Sequence, residues 1–582
     1  MSGRNVKNAF EFRSSLLAVF LCLLFVVLAA KLFYLQVLQG AELKKAAEAQ
    51  HSIYQKLLPS RGEIDMVDKA SSALVPLATN VKSYLVYAVP SEVLNPGLAA
   101  ASLAGVLQLD SKDILGKITQ TDKKYVIIKK QLTDAEQSQI KQLALAGIFF
   151  DSEDTRVYPQ NSLLSQTVGF LGYSGKNPNK TGLYGLERYF NQDLSGSSGQ
   201  VTAQKDSGGA MIYGAGIDRE PALDGANLIL TIDQTIQFQA ESMLKDMVDK
   251  NGADSGSIIV ANPKTGAILA LAGYPNFDPN QYNTVANPAD FNNQTVTGNY
   301  EPGSVFKAIT MAAALDENKV TATSTYVDTG DVAVGGFHIH NSDNKAHGLT
   351  TMTQVLDWSY NTGAVYAENQ LGNPDFLKYV NAFGFGQATG IELPETKGSL
   401  DGLKGNNQTN YDTASFGQGI LVTPMQMLQA YTAFANGGKM MKPYIIQSEI
   451  FPDGKIVDTK PTVVKQVISP QTASTLDAML VDVVENGYGA KAAVPGYFVA
   501  GKTGTAQVAG PDGKYLVNDN IGSFIGFAPV DNPQFVMLIR VDHPRDAEFS
   551  ETTAVPVWGK LAQFILNYMG IPPSRPIPAN KQ

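Results

Sequence analysis

The chain has 582 residues, too many for one ordinary domain and enough for two to four, each with its own core. Apolar residues make up 44% and charged residues 17%, a globular composition that excludes general disorder, and the net charge of −9 speaks against a nucleic-acid-binding surface. With Cys22 as the single cysteine, no intrachain disulfide and no cysteine-based metal site can form.

The first element is apolar. Ser14 to Ala30 carries no charge, and apolar character resumes after Lys31 as far as Val37. Residues 14–37 are therefore expected to form a transmembrane anchor, long enough to cross a hydrocarbon core of about 30 Å. Arg4, Lys7 and Arg13 outweigh Glu11 in the preceding tail, so residues 1–13 are expected inside and the rest of the chain outside, crossing once. Small residues at Leu28-Ala29-Ala30 admit a cleaved signal as the alternative; the length of the apolar run favours a retained anchor.

Residues 38–225 read as an elongated, mixed α+β region. A helical start, AELKKAAEAQ, leads to a turn at Pro59-Ser60-Arg61-Gly62, a strand-like SYLVYAV, and helical patterns in LAAASLAGVLQL and TDAEQSQIKQLAL. A Gly/Ser-rich stretch at 195–200 suggests a hinge or hairpin tip. From 226 the texture changes. NLILTID predicts a strand, TIQFQAESMLKDMVDK an amphipathic helix, and SGSIIVANPKTGAILALAG two strands around a turn. Strands GSFIGFAPV and QFVMLIRVD and the helix VPVWGKLAQFILNYM close the region. Terminal strands around a helix-rich middle predict one α/β (α+β) domain over 226–572, with those strands in a single sheet, followed by a flexible tail at 573–582.

Three short motifs carry chemistry. In Ser304-Val305-Phe306-Lys307, Pro302 and Gly303 break the chain before good helix formers, which puts Ser304 at a helix start and Lys307 one turn later on the same face. A serine hydroxyl needs a base, and a desolvated lysine amine can be one; the plain alternative is a solvated helix face. Ser359-Tyr360-Asn361 reads as a turn or helix cap, or as a relay in which Ser359 passes a proton and Asn361 binds a substrate amide. Lys502-Thr503-Gly504-Thr505 sits among β-formers. There Gly504 would admit a substrate backbone, Lys502 would hold a carboxylate, and Thr503 and Thr505 would supply hydroxyls; the plain reading is a glycine-bearing edge strand.

In this order the three motifs are far more specific than any one of them. The chain resembles the class B penicillin-binding proteins, monofunctional D,D-transpeptidases of peptidoglycan synthesis, along nearly all of its length. Arg61-Gly62-Glu63-Ile64 with Pro76-Leu77-Ala78-Thr79-Asn80, and Gly182-Leu183-Tyr184-Gly185-Leu186-Glu187, resemble signatures of the family's N-terminal pedestal, or dimerisation, domain. Ser415-Phe416-Gly417-Gln418-Gly419 with Val422-Thr423-Pro424 resembles the stretch ahead of the third motif. Departures are Val67–Ser72 where a tighter turn is common, Asn293-Gln294-Thr295, and the bulky Tyr360. Tyr300-Glu301-Pro302-Gly303-Ser304 and Ser415-Phe416-Gly417-Gln418-Gly419 resemble the division or spore-septum branch more closely than the elongation branch.

The resemblance implies the penicillin-binding fold on a pedestal at 38–225. Ser304 would attack the penultimate D-alanine of a stem peptide, with the backbone N–H groups of Ser304 and Thr505 as oxyanion hole, each worth about 3 kcal/mol. Lys307 would take the serine proton, Ser359 would protonate the departing D-alanine, and β-lactams would acylate the same serine. No cofactor and no metal are implied. Expected partners are stem peptides, β-lactams, and a membrane-embedded glycosyltransferase with other division or elongation proteins; nucleic acid is not among them. A β-lactam sensor or a non-catalytic scaffold is the alternative, and a β-lactamase or a bifunctional synthase fits less well. His338, His340 and His347 sit in a Gly/Asn-rich stretch that reads as a hairpin rather than a metal site, and FDPNQYNTVANPADFNNQ reads as a surface loop.

Overall fold

The computed structural model describes residues 3–69, 71–175, 180–204, 217–510, 515–547 and 549–577, arranged as two compact units. One unit holds residues up to Ser60 and Gly196–Asp224. Its helix Gly3–Phe33 runs into a single wide turn, Tyr34–Leu38, and then into Gly40–His51. Phe10–Leu38 is strongly apolar, with Glu11, Arg13 and Lys31 toward its ends, has no protein packed around it, and is the one segment among the described residues long and apolar enough to cross a membrane. It extends the expected span at both ends. The strand Ser52–Leu57 pairs antiparallel with Gly199–Gln204, which pairs with Asp218–Glu220, so the Gly/Ser stretch leads directly into a strand.

The second unit, Arg61–Ser195 with Gly225–Gln582, contains two large sheets. Seven strands make the first. Ile446–Ile450, Asn227–Asp233, Ile64–Asp68 and Ala73–Ala88 lie side by side, flanked by Ile456–Asp458, Val126–Leu132 and Ile148–Val157. The pairing of Ile64–Asp68 with Asn227–Asp233 is parallel, so one sheet crosses the boundary expected at 225/226. Helices Pro96–Leu107, Ser111–Ile118 and Asp134–Gln142 bury Leu103, Leu107, Ile114, Ile118 and Ile140 against Val86, Ala88 and Ile128 of that sheet. Beside it the pedestal signatures converge. Glu187 is fully buried and binds Arg61 Nε at 2.7 Å and Arg156 Nε at 2.7 Å, while Arg156 also donates to the Gly62 carbonyl.

The second sheet has five antiparallel strands: β1 (Ser255–Ala261), β2 (Ile268–Tyr274), β3 (Ala500–Ala509), β4 (Tyr515–Ala528) and β5 (Phe535–Asp542), in the order β2-β1-β5-β4-β3. Strands from both ends of the region thus share one sheet, as their apolar runs predict. Alternation along each strand serves two cores. Ile258 and Ile539 face the helices Gln234–Lys250 and Ala554–Tyr568, where Trp558 is fully buried. Ile259 and Leu538 face the helix-rich middle, including Lys307–Asp316 and Pro424–Phe434. Strand β3 ends up at the sheet edge, facing the helix that carries the first motif.

Two loop expectations change in detail. Residues 279–291 form two short 3-10 turns, and Tyr282 and Phe291 pack on Phe170 with ring centroids 4.3 and 4.9 Å apart, so this segment is half in the core. Of the tail expected at 573–582, residues 578–582 lie outside the described residues. The part before them is tied down, with the Ser574 and Arg575 amides donating to the Gly496 carbonyl.

Candidate active site

Ser304 stands in a single 3-10 turn, Gly303–Phe306, that opens the helix Lys307–Asp316. Val305 and Phe306 are buried in the core and anchor the turn, which leaves Ser304 half-exposed and puts Lys307 at the first position of the helix. Gly303 has φ +60°, and its amide donates to the Gly417 carbonyl at 3.0 Å. A Cβ at Gly417 would fall 2.3 Å from the Gly303 carbonyl oxygen, so the Ser415–Gly419 stretch clamps the nucleophile's turn from behind. Glu301 joins the clamp, accepting from the Gly419 amide at 3.0 Å and from the Tyr515 hydroxyl at 2.9 Å.

The second motif follows the helix Met352–Asp357. Ser359 takes φ +60°, a left-handed conformation unusual for a residue with a Cβ, and Asn361 starts the helix Asn361–Leu371. Hydrogen bonds hold that helix start in place. Thr362 Oγ1 donates to buried Asp328 at 2.8 Å, and Asn361 Nδ2 donates to the His340 carbonyl at 2.8 Å. His340 belongs to the hairpin Asp331–Val334/Phe337–His340, whose His338 and His340 rings stack and lean on Asp331. His347 stacks on Tyr360 at 4.2 Å. The histidines therefore buttress the second motif; among the described residues, no cluster of three or more His, Cys, Asp or Glu is placed to hold a metal.

The third motif lies on β3 against the nucleophile's turn. A Cβ at Gly504 would meet Ser523 Oγ at 2.5 Å and Val305 Cγ1 at 2.9 Å, so only glycine lets the strand approach this closely. Thr503 is buried and Thr505 half-exposed; Thr505 Oγ1 accepts from the Ser550 amide at 3.4 Å.

The three motifs meet at Ser359. Its Oγ lies 3.2 Å from Lys307 Nζ and 3.0 Å from Lys502 Nζ, and Lys307 Nζ also donates to the Ser359 carbonyl. Both lysines are almost wholly buried. Burial, reinforced by the nearby Lys502 charge, drives Lys307 well below the ordinary lysine range. Burial lowers Lys502 too, but Glu551 and Asp357 pull it back, and it stands at about 8. Lys502 Nζ further donates to the Thr503 carbonyl at 3.3 Å and to Thr503 Oγ1 at 3.2 Å. Buried and bonded in this way, Lys502 has its Nζ turned to Ser359 and Thr503. The half-exposed hydroxyl of Thr505 is the motif's accessible polar group. Lys307 in turn is directed to Ser359 rather than to Ser304.

Several neighbours carry no sequence signal. Asp357, two residues before Ser359, is 3% exposed, and burial together with Asp482 pushes it up to about 8. Glu551 lies in the turn Ser550–Thr552 beside Thr505, and Tyr488 packs edge-on against Trp358. Only folding brings the remote Tyr488 and the Ser550–Thr552 turn to the motifs.

Comparison with known proteins shows the family. Residues 256–563 match the penicillin binding protein transpeptidase domain, and residues 56–230 match the penicillin-binding protein dimerisation domain. Stage V sporulation protein D of Bacillus subtilis is 36% identical over 95% of this chain and 85% of its own length. PbpB of Mycolicibacterium smegmatis is 31% identical over 98% and 92%. Among solved structures, penicillin binding protein 3 of Mycobacterium tuberculosis in complex with aztreonam superposes with a TM-score of 0.68 at 26% identity, covering 90% of this chain and 99% of that one.

Proposed function

The chain belongs to the class B penicillin-binding proteins, and on that premise we propose that it cross-links peptidoglycan as a D,D-transpeptidase through an acyl-enzyme on Ser304. The observation that carries this reading is the hydrogen-bonded chain from Lys307 through Ser359 to Lys502, set beside a serine at the start of a helix and a strand at a sheet edge.

A stem peptide would add to β3 as an extra strand, its carboxylate meeting Thr505 and Thr503 in the field of the Lys502 charge. Asn361 has one amide hydrogen committed to His340, and its carbonyl oxygen would accept from a substrate amide. Ser304 Oγ attacks the penultimate D-alanine carbonyl while Lys307, poor in protons because it is buried beside Lys502, takes the hydroxyl proton. Negative charge on the carbonyl oxygen is met by the Ser304 and Thr505 amides. The proton then travels through Ser359 to the nitrogen of the departing D-alanine, and the amine of a second stem peptide resolves the ester. β-Lactams would enter by the same route and stay on Ser304.

The apolar helix Phe10–Leu38 fits a single-pass membrane protein. Arg4, Lys7 and Arg13 would hold the N-terminus in the cytoplasm, which places the catalytic unit outside, where its substrate is. Residues 38–225 then serve as pedestal and 226–572 as catalytic region, working with a membrane-embedded glycosyltransferase. The similarity to a sporulation protein and to PbpB favours septal over lateral wall synthesis.

Intact mass after incubation with benzylpenicillin tests the reading. A single adduct on the wild type and none on Ser304→Ala is expected; an unmodified wild type, or an adduct that survives in the variant, overturns it.

A further inference from the structure

Gly417 and Glu301 clamp the nucleophile's turn itself, and the chain leading into it, residues 298–300, is held separately. That stretch leaves the short helical turn Gln294–Thr297, and the backbone of Tyr300 pairs with Val422 through two hydrogen bonds of 2.9 Å. The pairing ties the approach to the segment after Gly419, in the helix-rich middle. A second attachment ties it to the sheet, and it is made by one side chain, Arg540 of β5.

Arg540 is 7% exposed and lies two residues after Leu538, so it leaves the sheet on the same face, toward the helix-rich middle. Its guanidinium is engaged on two edges and one face. Nε donates to Asp542 Oδ1 at 2.5 Å, and Ser255 Oγ donates to Asp542 Oδ2 at 2.5 Å, which fixes the carboxylate in its turn. Nη1 donates to the Gly298 carbonyl at 3.0 Å, and the guanidinium carbon stands 4.3 Å from the centre of the Tyr300 ring. The ring is the part of Tyr300 that is gripped, for its hydroxyl is buried without a hydrogen-bond partner among the described residues. Close approach is built in at Gly298, where a Cβ would stand 3.1 Å from Arg540 Nη1 and 2.6 Å from the Gln294 carbonyl oxygen. A planar fork with a stacking face suits this triple grip; a lysine ammonium has neither.

The register of the sheet shows what the grip aligns. Arg540 stands opposite Ser523 on β4, and Ser523 stands opposite Gly504 on β3. With strands about 4.8 Å apart, Arg540 is level with the third motif and about 10 Å from it. One residue beyond Gly504 is Thr505, the second amide of the oxyanion hole in the proposed mechanism. Four residues beyond Tyr300 is Ser304. A single fixed side chain on the middle strand of the sheet therefore joins the two parts whose separation must match a reacting carbonyl.

We propose that Arg540 is a positioning residue that sets the distance between Ser304 and the Thr505 amide, holding the approach to the nucleophile by the Gly298 carbonyl and the Tyr300 ring. It touches neither substrate nor the reacting atoms. This role rests on Ser304 being the nucleophile.

The test is acylation of the full-length protein in detergent micelles by a fluorescent penicillin, followed as adduct against time over a range of drug concentrations. Arg540→Lys keeps a positive charge beside Asp542 and gives up the fork. Tyr300→Leu keeps the Arg540–Asp542 pair and gives up the ring, so it carries the test should the lysine variant fold poorly. In both, the limiting rate of acylation is expected to fall about 100-fold, the cost of a reacting group set about 1 Å out of place, while the half-saturating concentration holds. Tyr300→Phe keeps the ring and is expected to restore the rate. A merely structural role lowers the share of molecules that react, not the speed at which each reacts. A smaller final yield of adduct formed at the wild-type rate therefore overturns the proposal. A raised half-saturating concentration at an unchanged limiting rate overturns it too, as does Tyr300→Phe reacting as slowly as Tyr300→Leu. A wild type that forms no adduct on Ser304 refutes the nucleophile assignment instead, and the two failures are told apart by that control.

Discussion

Ser359 is asked to do two things at once, and two substitutions separate them. Its φ of +60° costs a residue with a Cβ roughly 1–2 kcal/mol, which glycine escapes. Its hydroxyl stands between two buried lysine nitrogens at 3.2 and 3.0 Å, and a hydrogen bond to a charged group contributes about 1.5–3 kcal/mol. Ser359→Ala loses the hydroxyl and keeps the strain. Ser359→Gly loses the hydroxyl and relieves the strain, less the ~0.4–1 kcal/mol by which glycine loosens the unfolded chain. The glycine variant should therefore be the more stable of the two by about 0.5–1 kcal/mol, read as a higher urea midpoint by far-UV circular dichroism. Acylation by penicillin should fall in both by roughly 10²–10⁴-fold, the usual worth of a placed proton-transfer group. A glycine variant no more stable than the alanine one would refute the strain argument. Near-wild-type acylation in either would refute the relay.

Three further outcomes are expected. Gly504→Ala drives a methyl against Ser523 Oγ and Val305 Cγ1; overpacking should cost about 1–3 kcal/mol in thermal unfolding, and a strand displaced by ~1 Å should cost acylation about 100-fold, so an unchanged enzyme contradicts the close approach. Glu187→Gln strips two arginines of their buried partner and should destabilise by about 3–5 kcal/mol by urea unfolding, whereas Asp401→Asn, which breaks the exposed, solvent-screened pair with Lys404, should leave the urea midpoint unmoved. Stability should also depend on pH through Asp357 and Lys502, both of which stand at about 8. Asp357 is raised on folding, so its contribution declines as pH climbs from about 4 to 8, and Asp357→Asn should flatten that decline. Lys502 is lowered, so the unfolded chain holds more protons between about 8 and 10.4 and stability should rise there; Lys502→Met should remove the rise.

The motifs were legible because each is punctuated locally. Pro302-Gly303 announces a helix start, and the apolar runs on either side of Asn262–Gly266 announce two strands, found at Ser255–Ala261 and Ile268–Tyr274. The apolar helix was legible from its lack of charge, though it reaches past 14–37 to Phe10 and Leu38. The Ser550–Thr552 turn was not legible, because no period or spacing ties it to the third motif; it reaches β3 only on folding, where the Ser550 amide donates to Thr505 Oγ1. The burial of Lys502 was not legible either, because it depends on the layers above the sheet, which a strand pattern does not encode. The split at 225/226 followed a real change of texture, while the parallel pairing of Ile64–Asp68 with Asn227–Asp233 depends on a partner far along the chain.

That pairing also sets a timetable. The Glu63 amide hydrogen-bonds Asn227 Oδ1, a contact closed across 164 positions, and Ile64–Asp68 has no parallel neighbour until the later strand exists. A ribosome adding about 5–20 residues per second leaves the earlier strand waiting on the order of ten seconds. Throughout that interval Ile64 and Met66, fully buried in the finished protein, have no Asn227–Asp233 strand beside them. A wait during which the chain is open to capture by a chaperone or to mispairing with a second nascent chain is thus written into where one short strand finds its neighbour.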